Sequence, residues 1–174
     1  FLMQRIAWLA AIFATGVYVV GPIIDPDLWW HITVGRWIIT QYDVPSIDYW
    51  NIFGAGKPWV AYSWSSEVVF ALIDRHFGAS GLLVLKFILA LTLAFSLGYS
   101  LSRLSRDWFL GAVFGIFATA ASFNHLTLRP QLVVWTLFVW LIFYVEKIAE
   151  RKRLGHEGFF IFLLMVVWAN NHIT

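Results

Sequence analysis

Long apolar runs alternate with short polar breaks along this chain, and each break falls where a helix would have to end. Apolar character holds over residues 1–24, 81–104, 108–123, 130–148 and 158–172. A helix that crosses a bilayer needs about 20 mostly apolar residues, because hydrocarbon leaves no partner for irregular backbone. The five runs predict an all-α, polytopic membrane helix bundle, about five transmembrane helices in a single membrane domain over residues 1–174. Gly21, Pro22, Asp25 and Pro26 close the first run, the prolines by removing N–H donors and the acid by refusing hydrocarbon. Ser80 is the expected N-cap of the second, which Arg103, Arg106 and Asp107 end.

Residues 25–80 break the pattern and read as one large polar-aromatic loop carrying two interfacial helices. The first is DPDLWWHITVGRWI, Asp25 to Ile38, with Asp27 as N-cap and Asp27 and His31 four residues apart on one face. Trp30, Trp37 and Ile38 suit the headgroup zone of such a helix. The second runs from Ser65 to His76, with Ser65 or Ser66 as cap, Glu67 in the first turn and Gly78 as stop. Between them Pro45, Gly54, Gly56 and Pro58 predict turns rather than a strand.

Composition agrees with the pattern. A chain with 60% hydrophobic and 13% charged residues is not an ordinary soluble domain, and its mean hydropathy of +0.74 says the same. The absence of cysteine excludes disulfides and thiolate metal sites. The net charge of +2 does not imply nucleic acid, because in a membrane protein the side on which cations lie matters more than their sum. Arg5, Arg103, Arg106, Lys147, Arg151, Lys152 and Arg153 fall on one face, whereas Arg36, Lys57, Arg75 and Arg129 fall on the other. The positive-inside rule makes the first face cytoplasmic, with the N-terminus, and the loop 25–80 periplasmic or extracellular. Lys86 lies mid-span, where a cation requires a partner, a water-filled cavity or a shifted boundary.

The polar chemistry then gathers outside. Asp25, Asp27 and His31, then Asn124, His125 and Arg129, then Asn170, Asn171 and His172 all reach the outer boundary. Asp25, Asp27 and His31 are candidate ligands for a divalent metal ion, Mg or Mn through oxygen and Zn with imidazole. One carboxylate serves alternatively as a general base. Arg129 suits a phosphate or carboxylate clamp, because its planar fork matches those oxygens. The same acids equally well stop a span and cap a helix, and the tryptophans read as belt anchors.

The layout resembles bacterial membrane glycosyltransferases of the GT-C superfamily, the protein mannosyltransferase-like and aminoarabinose transferase-like enzymes. The resemblance rests on a first span followed by an outer loop that opens with an acidic motif, and on two phrases. LTLRPQ and WANNHIT are similar to the RPQ or RPH and WANLHG phrases of uncharacterised bacterial relatives of this class. It implies an enzyme of the bacterial inner membrane that moves a sugar from a polyprenyl-phosphate donor to an acceptor on the non-cytoplasmic face. It further implies that Asp25 or Asp27 is the loop acid acting as base or metal ligand, that Glu67 is the second acid, and that His31, Arg129 and His172 contact substrate. Here Asp25-Pro26-Asp27 and Trp-Trp-His stand where many relatives carry an Asp-Glu pair. Five spans are fewer than that superfamily's module carries, so the resemblance implies its N-terminal portion, truncated or a fragment. The alternative is a non-catalytic accessory subunit that packs against a larger membrane complex. Gly111, Gly115, Ala118 and Ala121, spaced three or four apart, would suit close helix approach in that case.

Overall fold

A computed structural model describes residues 2–19, 23, 25–122, 126–153 and 155–172. Among them every regular element is helical: α1 Leu2–Val19, α2 Pro26–Gln41, α3 Trp64–Ser105, α4 Trp108–Ala121, α5 Pro130–Arg151 and α6 Glu157–Ala169. One isolated antiparallel bridge, Ile47 to Pro58, is all that the turn-rich segment between α2 and α3 offers by way of strand.

α3 is the hub, packed by α1, α2, α4 and α5, while α6 packs on α5. Gly78, at φ 60 and ψ −155, breaks α3 into two limbs. The first limb lies under α2. Leu28 and Ile32 of α2, Phe70 and Leu82 of α3, and Leu128 from the turn before α5 form one buried cluster there, each side chain contributing about 1.5–3 kcal/mol by leaving water. The second limb meets α5 through Ala90, Leu93, Leu126 and Leu132, and meets α1 through Trp8, Ile12 and Ala94. Against α4 the contact is backbone to backbone. A Cβ at Gly115 would stand 2.7 Å from Cα of Gly98, and one at Gly111 would collide with Ser102. The two glycines of the small-residue stripe are therefore consumed inside the chain, whereas Ala121 is exposed.

Three sequence expectations are corrected here. Ser80 lies inside the helix rather than capping it, because the break falls at Gly78, where a positive φ suits glycine. α3 starts at Trp64, so Ser65 and Ser66 are not its caps. Ser65 Oγ donates to the carbonyl of Asn170 at 2.7 Å, and Ser66 Oγ bonds Asn171 Oδ1, tying α3 to the chain after α6. Most importantly, among the described residues two helices, α3 and α5, are long and apolar enough to cross a membrane, fewer than the five expected. α4 and α6 have 14 and 13 residues, which at 1.5 Å per residue reach about 20 Å of a hydrocarbon core about 30 Å thick. In α1 the apolar stretch is Trp8–Tyr18. Lys86 is buried and turned into the bundle.

Candidate active site

The end of the bundle that holds α2 also gathers the chain before α5 and the chain after α6. Asp25 begins it. Its Oδ1 accepts from the backbone N–H of Asp27 at 3.1 Å, which makes Asp25, not Asp27, the N-cap of α2. Pro26 explains the difference from the expected cap: it takes the first helical position, where a missing N–H is no loss, so the helix starts there and the cap lies two residues earlier than expected. Asp27 falls in the first turn, its carboxylate 55% exposed.

Arg129, the N-cap residue of α5, reaches across to both acids. Its Nε donates to Asp25 Oδ2, its Nη2 to Asp25 Oδ1 at 2.8 Å, and its Nη2 also pairs with Asp27 Oδ2 at 2.9 Å. The guanidinium hydrogen bonds hold the Asp25 carboxyl below its ordinary range, outweighing the burial that pushes it up; bonds from Asp27 N–H and Thr127 act in the same direction as Arg129. Asp25 in turn raises Arg129. Asp25 is thus a buried, ionised anchor whose oxygens are engaged. That arrangement does not suit it to the proton-accepting role the resemblance implies.

His31 sits one turn beyond Asp27 and one turn before Gly35, all three on the same face of α2. Gly35 matters because a Cβ there would collide with the backbone carbonyl of Glu67, so only glycine lets α2 lie this close to α3. The close approach puts His31 Nδ1 2.9 Å from Glu67 Oε1, with the Glu67 side chain 3% exposed. Glu67 Oε2 is buried without a hydrogen bond among the described residues. Glu67 is therefore far more than a charge at a helix N-terminus.

A cavity of about 260 Å³ opens between these elements. Asp27, His31, Arg129 and His172 line it, with Asp25 and Glu67 held behind Arg129 and His31. All six residues singled out from the sequence are thereby brought to one place. Asn124 and His125 lie outside the described residues. The sequence reading did not place Trp30, Tyr62, Ser63, Pro130 and Gln131 at the site, and they complete the wall. The Tyr62 ring lies 5.7 Å from that of His172, and Trp64 Nε1 donates to Asn170 Oδ1 at 2.8 Å, so the segment after α6 is fastened to the start of α3. Ser63 Oγ is buried on the cavity wall with no hydrogen-bond partner among the described residues. No sequence pattern announces such a hydroxyl.

The tryptophans expected as separate belt anchors pack on one another. Trp30 meets Trp50 and Trp59 at ring distances of 5.5 and 5.6 Å, and Trp37 stacks on Tyr49 at 5.1 Å. Asp48 fixes the loop that brings them in, accepting from the N–H groups of Trp50 and Asn51 at 2.9 and 3.0 Å. Ile38, expected at the headgroups, is buried.

The expected metal set does not fit this geometry. Arg129 stands between Asp25 and Asp27, where a bridging cation would have to be, and His31 Nδ1 is engaged by Glu67. Among the described residues no three carboxylate or imidazole groups converge as a metal-ligand cluster. Protein-family models, curated proteins and solved structures were each compared with the chain, and none matches it.

Proposed function

We propose that the chain is a membrane glycosyltransferase of GT-C type that moves a sugar from a polyprenyl-phosphate donor to an acceptor on the non-cytoplasmic face. The observation that carries this reading is the convergence of Asp27, His31, Arg129 and His172, from widely separated parts of the sequence, on one polar cavity at the end of an apolar bundle. Buried ion pairs are costly to assemble and are weak devices for stability. Their concentration at a cavity whose Ser63 hydroxyl bonds no described residue supports a ligand site.

In this reading α1, the second limb of α3, α4, α5 and α6 each cross the membrane, the short helices accommodated by local thinning of the bilayer. The N-terminus is cytoplasmic, the cavity faces the periplasm, and the membrane is a bacterial inner membrane. Nε and Nη2 of Arg129 are spent on the two aspartates, which leaves Nη1 for the donor phosphate. The Asp27 carboxylate then lies beside the anomeric carbon, where positive charge develops as the phosphate leaves. A volume of about 260 Å³ takes one sugar-sized group and leaves the polyprenyl tail in lipid. The glycines of the small-residue stripe lend the accessory-subunit alternative no support, since Gly111 and Gly115 face Ser102 and Gly98 of the same chain.

The test is incubation of the protein in proteoliposomes with a panel of radiolabelled polyprenyl-phosphate sugars and membrane extract as acceptor source. Incorporation of label from one donor is expected. No incorporation from any donor, with recovery of the protein only in fixed ratio to other membrane subunits, would overturn the reading.

A further inference from the structure

We infer that the proton acceptor in the cavity is His31, held in one tautomer by Glu67, and that the acceptor hydroxyl lodges against Ser63. The inference rests on the transferase reading and departs from the expectation that a loop acid is the base. Asp25 is engaged by Arg129 and by its own helix cap. Asp27 Oδ2 is paired with Arg129 Nη2 at 2.9 Å. His31 is placed differently. Its ring lines the cavity, and its Nδ1 lies 2.9 Å from a carboxylate that is almost wholly buried. An ionised carboxylate only accepts, so the proton resides on Nδ1 and the lone pair on Nε2, the other polar atom of the ring.

The remaining titratable groups on the cavity wall are Asp27, Tyr62, Arg129 and His172. Ser63 supplies the second half of the argument: its hydroxyl is buried on the wall and bonds no described residue. A buried hydroxyl is unfavourable until it is satisfied, and a ligand hydroxyl would satisfy it.

The chemistry balances. The acceptor O–H gives its proton to Nε2 while an oxygen lone pair forms the bond to the anomeric carbon. The bond from that carbon to the phosphate oxygen breaks, and its electron pair leaves with the polyprenyl phosphate. Glu67 stabilises the imidazolium, which then releases its proton to water on the outer side. Glu67 acts through His31 and is a positioning residue.

The tautomer is read directly by nitrogen NMR of ¹⁵N-histidine-labelled full-length protein in lipid nanodiscs. Wild type is expected to show a proton on His31 Nδ1, and Glu67→Gln to show a mixture of tautomers. In the donor panel, His31→Gln is expected to lower transfer about 10²–10⁴-fold, the range for loss of a general base. Glu67→Gln should lower it less, and Ser63→Ala should raise KM for the acceptor more than it lowers kcat. A wild-type proton on Nε2, or full transfer by His31→Gln, would overturn the proposal. A wild type that shows the tautomer but transfers no sugar would overturn the transferase reading instead.

Discussion

Asp25 and Asp27 are chemically identical and two residues apart, yet the fold gives them opposite tasks. Asp25 is buried and bonded on both oxygens, whereas the Asp27 carboxylate is half exposed in the cavity wall. Asp25→Asn should therefore destabilise the protein and Asp27→Asn should not. Arg129 is partly exposed, so solvent screens the pair, and the cost for Asp25→Asn is on the order of 2–3 kcal/mol, below that of a fully buried pair. Thermal unfolding in detergent measures both variants. The sign of the pH dependence follows from the same contacts. Asp25 has its folded-state pKa lowered by Arg129, so the pair stabilises above the unfolded value of about 3.9 and fails as pH falls through the folded one. Wild-type melting temperature should drop on acidification below about pH 4, and the drop should be smaller in Asp25→Asn. At this scale the sequence is informative where partners are close: the spacing of Asp27 and His31 is legible at four residues. The bond from His31 to Glu67 is not, because it joins residues 36 apart and depends on a close helix contact elsewhere.

That contact belongs to the elements. Gly35 and Gly115 each stand where a neighbouring backbone excludes a Cβ, and Gly78 stands where the backbone needs positive φ. The first two place helices; the third bends one. Gly35→Ala is expected to push α2 off the first limb of α3, at about 1–3 kcal/mol for overpacking, and to separate His31 from Glu67. Gly115→Ala should carry a similar stability cost and leave the cavity intact, because α4 meets α3 far along the second limb. Melting curves, with ¹⁵N spectra of His31, separate the two outcomes; an unchanged tautomer in Gly35→Ala would contradict the role given to that contact. The stop at Gly78 was readable from the residue type alone. The caps were not, since Pro26 moved one of them and Ser65 and Ser66 spend their hydroxyls on Asn170 and Asn171.

Across the whole molecule, apolar periodicity predicts the helices well and their lengths less well. Runs counted as spans include flanking residues that form turns and caps, so α4 and α6, with 14 and 13 residues, are shorter than the runs predicted for them. The convergence of three distant segments on one end was legible from alternation of direction along the chain. The cavity itself was not, because Tyr62 and Ser63 reach its wall only through bonds between the start of α3 and the chain after α6. Topology has a simple test, since the chain has no cysteine of its own. A membrane-impermeant maleimide should label Asn51→Cys from the outer side and Lys152→Cys only after permeabilisation. Labelling of both from one side would contradict the proposed arrangement, and the reverse pattern would invert it. The most direct test of the central claim compares consumption of radiolabelled polyprenyl-phosphate sugars by wild type and by Asp27→Asn in proteoliposomes, at matched amounts of folded protein. The account predicts turnover by wild type and a loss of about 10²-fold or more in Asp27→Asn, the scale of a lost transition-state charge contact; equal turnover by the two proteins would contradict it.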